Sequence, residues 1–351
     1  MLFELSDNLV NYSIGEEVSV LNSITNLLIG YYEGNHLLMA NDSVCNYFKD
    51  KMTDDRAKRA LRYLENHSSF EYDVDWKAIV VLDEADLKKH EIDLRFFERT
   101  STIQPTKIIG EHLNDAFFYY YVMCSMMSVP DIVENTAYIP DLGGGSSSID
   151  KITYLFKENA SINLGIFDSD KKYPEDKNKE RMAIRLSKYK DKKLNIGIDI
   201  INVMEVENLI PLTFVKKLHK DKAHFLQQIN KVCPTLLNYY DFKEGLFYKD
   251  GYEEDYKVFL KEKYENVNPK SCEFDKFICR KKSEAPDEPI EIFPNIGKDI
   301  LKSFIKETNV NNNKPLNFGL FDNDSILYNE WNRIARLVYT YTCSRKKDPI
   351  N

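Results

Sequence analysis

The sequence predicts an α/β protein in which a mostly parallel sheet is flanked by helices. Between residues 104 and 212, short apolar runs (KII, AYIPDL, INLGIF and IGIDIINVM) alternate with helical or turn-rich stretches. This alternation is typical of parallel strands that are connected by helices. A chain of 351 residues, 43% of them hydrophobic, is also long enough to form more than one domain.

The patterns divide the chain into three regions. Residues 22–31 and 57–65 have helical spacing, and residues 78–86 (AIVVLDEAD) begin as a strand-like β-branched run. From residue 213 onward helical spacing dominates, for example in NIGKDILKSFIKE. We therefore predict an α/β or helical N-terminal domain at 1–103, the parallel-sheet domain at 104–212 and a mostly helical C-terminal region at 213–351.

The net charge limits the partners of the chain. Lys and Arg number 48 against 56 Asp and Glu, so the formal charge is -8. Because the field of the whole molecule repels a polyanion, nucleic-acid binding would need local patches or bound metal, and a histone-like role is excluded. No run approaches the ~18 apolar residues of a membrane span, and the N-terminus does not resemble a signal peptide. We expect a cytoplasmic protein without a membrane partner.

Acidic residues mark the ends of three of the four predicted strands. Glu111 follows the first, Asp168 and Asp170 end another as alternate residues of an extended chain, and Glu205 and Glu207 end the last, again two apart. Three glycines at 143–145 follow another strand, and their amides can approach an anion or another chain segment. Carboxylates at the ends of neighbouring parallel strands converge where open α/β sheets bind ligands. Their repulsion would be costly without divalent cations such as Mg²⁺, Mn²⁺ or Ca²⁺, and two such ions support phosphoryl transfer. The candidate metal ligands are Glu111, Asp115, Asp168, Asp170, Glu205 and Glu207.

The order of these motifs resembles the Toprim domain over residues 107–211. The nearest similarity is to the form found in OLD-family nucleases and in Toprim effectors of bacterial anti-phage systems such as Gabija, PARIS and certain retrons. In that family the first strand typically reads IIVEGxxD, and a DxD strand is followed by a segment like REIENYLxP. Here the corresponding segments are IIGEHLND, DSD and MEVENLIP, and His112 stands where the family has glycine.

The resemblance implies a metal-dependent nuclease that binds two Mg²⁺ or Mn²⁺ ions. By this resemblance Glu111, Asp115, Asp168 and Asp170 hold the first ion or bridge the pair, and Glu205 and Glu207 hold or orient the second. The family also uses a downstream lysine. Lys171 and Lys172 lie nearest the DxD motif, and the further candidates are Lys216, Lys217, Lys220 and Lys222.

The resemblance also suggests partners. The chain has no GxxxxGK[ST] phosphate loop, although OLD nucleases carry an ATPase on the same chain. We therefore expect a separate ATPase or sensor protein as trigger in an antiviral defence system, with DNA rather than RNA as substrate. The terminal regions would supply docking or homo-oligomer contacts. The six cysteines lack CxxC spacing and indicate neither a zinc site nor a disulfide framework.

Other interpretations stay open. The chain could be a catalytically silent Toprim subunit that binds or regulates, or a ribonuclease specific for RNA such as tRNA. Glu111 and Asp115 could be ordinary first-turn acids of a helix, and Asp168 or Asp170 could cap one. The three tyrosines at 119–121 lie in an apolar helix and favour a core position over a base-stacking role.

Overall fold

A computed structural model describes residues 1–67, 72–82, 84–127, 134–177, 182–249, 252–268, 274–284, 288–308 and 325–346. The chain forms two compact units, and each is discontinuous in sequence. The first comprises Met1–Ile166, Leu186–Asp199 and Trp331–Asn351, and the second comprises Phe167–Arg185 and Ile200–Glu330. The predicted boundaries near residues 103 and 212 stay a prediction.

The N-terminal part of the first unit is a four-stranded parallel sheet with helices. Its strands are β1 (Leu2–Leu5), β2 (Leu37–Met39), β3 (Ala78–Val81) and β4 (Glu91–Asp93), and its helices are α1 (Glu17–Tyr32), α2 (Asp42–Lys49) and α3 (Asp55–His67). The strand order is β2-β1-β3-β4, and every pair is parallel. Of the two predictions for this region, the structure therefore supports α/β.

A second four-stranded sheet has the order β7-β5-β8-β9, and β5 pairs in parallel with β7 and β8. This sheet and its parallel pairing confirm the predicted α/β fold class. Its strands are β5 (Thr106–Gly110), β7 (Tyr138–Leu142), β8 (Asn163–Phe167) and β9 (Ile196–Ile200), and nearby along the chain are α4 (Leu113–Met126), α5 (Ser148–Glu158) and α6 (Met182–Ser187).

Two further elements near the end of the described chain belong mainly to the first unit. Helix α12 (Ser325–Thr342) leads into β12 (Cys343–Arg345), which pairs antiparallel with β6 (Glu134–Thr136). Trp331 on α12 is fully buried, and its ring meets that of Phe118 edge to face at 5.7 Å. Tyr119, Tyr120 and Tyr121 on α4 are also buried, which confirms their predicted core position.

The second unit is mostly helical. Its remaining elements are α7 (Leu212–Leu218), α8 (Ala223–Val232), α9 (Glu254–Val267), α10 (Phe274–Glu284), α11 (Ile300–Thr308), β10 (Leu246–Tyr248) and β11 (Ile290–Phe293). The predicted helical character is confirmed, but the antiparallel hairpin of β10 and β11 was not predicted. Gly245 enters it with φ +87°, and a Cβ there would lie 2.7 Å from the carbonyl oxygen of Phe293. Glycine permits this close backbone approach.

Across the ranges described above, no helix combines the length and apolar character needed to cross a membrane.

Candidate functional site

The segments that follow β8 and β9 run side by side in the second unit. Three hydrogen bonds join residues 167–170 to residues 201–204. They run from the Ile201 amide to the Phe167 carbonyl (3.0 Å), from Ser169 Oγ to the Val203 carbonyl (2.6 Å) and from the Asp170 amide to the Met204 carbonyl (3.0 Å). Because these are mainly backbone contacts, the two acidic motifs are aligned by the chain path and not by their own charges.

Asp168 lies against the second acidic motif. Its side chain is 9% exposed, and Oδ1 accepts a hydrogen bond from the Val206 amide at 3.0 Å. Val206 stands between Glu205 and Glu207 in the chain and begins the single 3-10 turn Val206–Leu209. The structure therefore brings Asp168 to the segment that carries the two glutamates, as the sequence predicts.

The prediction that Glu205 and Glu207 end a strand is wrong. Strand β9 ends at Ile200, Glu205 precedes the 3-10 turn, and Glu207 lies within it. Two hydrogen bonds from Asn202 to the Glu330 carboxylate, at 2.9 Å from the backbone amide and 2.7 Å from the side chain, hold the chain beyond the strand. The apolar spacing of INVM does not reveal this contact, since Glu330 is distant in sequence.

The prediction that Asp168 and Asp170 are alternate residues of one extended strand is also wrong. Asp170 has φ +54°, a left-handed conformation that aspartate adopts more readily than most residues. It also does not begin a helix, because α6 starts at Met182. The two carboxylates therefore leave the chain from different backbone conformations.

The two lysines that follow the DxD motif serve different contacts. The Lys171 amide donates to Ser169 Oγ at 3.3 Å. The Lys172 ammonium lies over the rings of Tyr252 and Tyr256, at 5.1 and 5.8 Å from their centroids. The predicted catalytic role of Lys171 and Lys172 stays a prediction.

Lys243 joins the acidic cluster, and no sequence motif points to it. Its Nζ lies 3.1 Å from Glu205 Oε2 and 3.0 Å from Glu207 Oε1. A turn holds its backbone, because Asp241 Oδ1 accepts from the amides of Lys243 (2.9 Å) and Glu244 (2.8 Å). The letters DFKEG indicate a turn, since Asp and Gly favour one. They do not indicate which residues the lysine meets.

Burial and charge act in opposite directions within this cluster. Burial raises the pKa of Glu205, Lys243 acts against that rise, and Asp241 and Glu207 add to it. Burial alone would lower the pKa of Lys243, but its attraction to Glu207 and Glu205 outweighs this effect and raises that pKa. Lys243 therefore stays protonated at neutral pH, while the Glu205 carboxyl takes up a proton more readily than an exposed glutamate.

Asn208 fixes the backbone of the cluster. Its side chain is 8% exposed, Nδ2 donates to the carbonyls of Leu237 (2.7 Å) and Tyr240 (2.8 Å), and Oδ1 accepts from the Glu205 amide at 2.8 Å. One amide side chain thus satisfies three buried backbone groups in two segments. This explains in physical terms why an asparagine follows the two glutamates.

Glu111 and Asp115 belong to the first unit. Glu111 directly follows β5, as predicted, and Asp115 lies in the first turn of α4. Asp115 is 3% exposed, and its Oδ2 accepts from the His112 amide at 2.7 Å. This is a capping-box contact, which corresponds to the interpretation of Asp115 as a first-turn acid.

The backbone amides of the glycine turn at residues 143–145 form hydrogen bonds with the segment that follows β5. The Gly143 amide donates to the Gly110 carbonyl at 2.6 Å, and the Gly144 and Gly145 amides donate to the Glu111 carbonyl at 3.1 and 3.3 Å. Of the two predicted uses of these amides, an anion or another segment, the structure shows the second. The turn therefore positions the backbone of Glu111.

Replacing Gly110 with alanine is expected to lower the free energy of unfolding by about 2 kcal/mol, the usual scale for overpacking. A Cβ at Gly110 would lie 2.6 Å from the Asp115 Cβ and 2.9 Å from the His112 carbonyl oxygen. Chemical denaturation should measure the loss. Gly15→Ala is the matched control, because nothing lies within 4 Å of its Cβ position. Equal stability of both variants would contradict the close packing at Gly110.

The acidic residues offer oxygen ligands that suit Mg²⁺, but an assembled metal site is not found among the described residues. Glu207 is 5% exposed, and its Oε2 is buried without a hydrogen-bond partner within the described ranges. Hard carboxylate oxygens of this kind suit Mg²⁺. However, no group of three or more His, Cys, Asp or Glu that could hold an ion occurs in the part of the chain that the structure covers. A two-metal site therefore stays a prediction.

Comparison with known proteins gives no relative to set beside this geometry: no family model, no curated protein and no solved structure matches the chain.

Proposed function

We propose that the protein is a nuclease that hydrolyses phosphodiester bonds in nucleic acid. The proposal depends above all on one observation in the second unit. Lys243 lies within 3.1 Å of Glu205 and Glu207, and Asp168 is held against the same segment through the Val206 amide. A cation among buried carboxylates gives the two groups that phosphate-ester hydrolysis needs, a proton acceptor and a positive charge.

The roles of these side chains follow from their charges. Lys243 stays protonated and can donate to a non-bridging phosphate oxygen as negative charge develops there. The pKa of Glu205 is raised by burial, so its carboxylate is a better base toward an attacking water than an exposed glutamate. Glu207, whose Oε1 binds Lys243, orients the ammonium.

The proposal includes Mg²⁺ or Mn²⁺ as a component of the reaction. Asp168, Asp170, Glu205 and Glu207 bring four carboxylates to two neighbouring segments, and Lys243 pairs with two of them. Divalent cations would reduce the repulsion between such carboxylates and a phosphodiester. The family resemblance implies the same ions, and Glu111 and Asp115 stay proposed ligands on that ground alone.

The test is a cleavage assay with a matched pair of variants. Plasmid, linear DNA and total RNA are incubated with the protein in Mg²⁺, Mn²⁺ or EDTA. We expect cleavage that EDTA abolishes and that Asp168→Asn reduces by at least ~100-fold, as for loss of one charge-stabilising group. Asp275→Asn is the control, because Asp275 is exposed and pairs with Lys261 at the surface of the second unit. Glu111→Gln tests the first unit separately.

Two results would contradict parts of the proposal. Absence of cleavage in every condition, with the products of neighbouring genes added, would reject the nuclease. Equal cleavage by Asp168→Asn and Asp275→Asn would reject the site. The RNA substrate in the same assay decides between a DNA nuclease and the RNA-specific alternative.

One observation favours a second candidate, a catalytically silent binding subunit. The ion pairs of Lys243 already neutralise part of the charge on Glu205 and Glu207, which a purely structural cluster would also show. In that case the protein would bind nucleic acid or a partner without cleaving it. In either case we propose a cytoplasmic component of an antiviral defence system that a separate ATPase or sensor protein triggers.

A further inference from the structure

The second unit contains a small aromatic pocket that has no role in the chemistry proposed above. Its volume is about 130 Å³. Four of its lining side chains are aromatic and one is cationic. The pocket is lined in part by Lys172, Tyr239, Asp241, Phe247, Tyr252 and Tyr256.

The pocket shares its walls with the acidic cluster. Lys172 follows the DxD motif by two residues, and Asp241 opens the turn that carries Lys243. Met204, which also lines the pocket, directly precedes Glu205. Three short segments therefore serve both places. A ligand that reaches the carboxylates and Lys243 has the pocket as its immediate neighbour within the same unit.

The aromatic rings form a surface suited to stacking. Tyr252 and Tyr256 meet edge to face with centroids 5.0 Å apart, and the Lys172 ammonium lies over both rings. Tyr252 is half-buried, and burial raises its pKa, so its ring stays neutral. A flat aromatic group beside tyrosine rings and a lysine gains stacking and cation–π energy at once.

The volume limits what fits. Sites for drug-sized ligands enclose roughly 300–1,000 Å³, whereas a cavity of about 150 Å³ admits a single benzene ring. The pocket at 130 Å³ therefore suits one six-membered ring. A pyrimidine base fits within this volume, whereas part of the fused rings of a purine would stay outside it.

We infer that this pocket binds one unpaired pyrimidine base of a single-stranded nucleic acid, adjacent to the phosphate that the acidic cluster acts on. The inference rests on the proposed function, because that function supplies the position of the phosphate. It adds the substrate class, a strand with an unstacked base, and a preference for pyrimidine over purine. A base in the pocket would fix the phosphate beside Lys243.

Binding of labelled oligonucleotides tests this inference apart from cleavage. All proteins carry Asp168→Asn, which suppresses cleavage, and are measured in Mg²⁺ by fluorescence anisotropy with dT12, U12, dA12 and an abasic 12-mer. Loss of one stacked base costs ~1–3 kcal/mol, so Tyr252→Ala should weaken dT12 and U12 binding about 5- to 150-fold. Tyr252→Phe keeps the ring and should bind as the parent does. Tyr154→Ala removes an exposed tyrosine of the first unit and serves as the control.

The outcomes separate the two proposals. Weaker pyrimidine binding by Tyr252→Ala, with the abasic strand unaffected, supports the pocket even if the wild-type protein cleaves nothing. Unchanged dT12 and U12 binding by Tyr252→Ala would overturn it, whatever the cleavage assay shows. Equal affinity of the parent for dA12 and dT12 would overturn the pyrimidine preference. Melting curves of each variant confirm that it is folded.

Discussion

Replacing Lys243 with methionine is expected to lower the free energy of unfolding by about 2 to 3 kcal/mol. Loss of one partner of a buried ion pair costs ~3–5 kcal/mol. The loss expected here is smaller, because the Lys243 side chain is 36% exposed and solvent screens its interactions. Glu207 and Glu205 would stay in place with side chains only 7% and 18% exposed. Their mutual repulsion would then be uncompensated. Urea denaturation in EDTA measures the change.

The loss should depend on pH in a defined direction. Without Lys243 the folded-state pKa of Glu205, which burial already raises, lies further above its unfolded value. A group with a raised folded-state pKa binds more protons in the folded state, so stability falls as pH increases through that pKa. The variant should therefore be more strongly destabilised at pH 8 than at pH 5.

The control for this prediction is Lys243→Arg, which keeps the positive charge. It should retain most of the stability, while Lys243→Met should also lose cleavage by roughly 100-fold or more if the lysine stabilises the reacting phosphate. A methionine variant with the stability of the wild-type protein and no pH dependence would show that the ion pairs do not form in solution.

Asn208→Ala is expected to cost about 3 kcal/mol, at ~1 kcal/mol for each of three hydrogen bonds. The variant leaves the carbonyls of Leu237 and Tyr240 and the amide of Glu205 without the side-chain partner they have now. Buried backbone groups without partners are rare because they are costly. Thermal unfolding followed by circular dichroism measures the shift.

Asn266→Ala is the matched control, because Asn266 is exposed on α9. Its stability should stay within about 0.5 kcal/mol of the wild type, as is usual for surface substitutions. If Asn208→Ala is as stable as Asn266→Ala, the segments that hold the acidic cluster are anchored by other contacts.

The sheet was predictable because its signals are local. The apolar runs that end near Gly110, Phe167 and Ile200 are each bounded by polar residues, and the structure places β5, β8 and β9 there. Periodicity and strand-end polarity reveal such elements without knowledge of the tertiary contacts. The position of Asp168 at the end of β8 was predictable for the same reason.

The geometry around the acids was not predictable, because distant contacts decide it. Glu330 holds Asn202 across 128 residues of chain, and Lys243 reaches Glu205 from a turn 38 residues away. The sequence motif places Lys171 and Lys172 next to Asp170, and Lys172 contacts tyrosines. The motif does not reveal that Lys243 joins Glu205 and Glu207. The two-metal ligand set stays a prediction.

The pairing of β12 with β6 has a consequence for biosynthesis. Cys343 pairs with Thr136, and the Arg345 side chain donates to the carbonyls of Tyr31 (3.3 Å) and Tyr32 (2.9 Å). These late residues leave the ribosome after every residue of the second unit has emerged. The first unit can therefore acquire its last strand only when the acidic cluster has already been synthesised. A ribosome stalled before residue 331 would hold a first unit without its closing helix and strand.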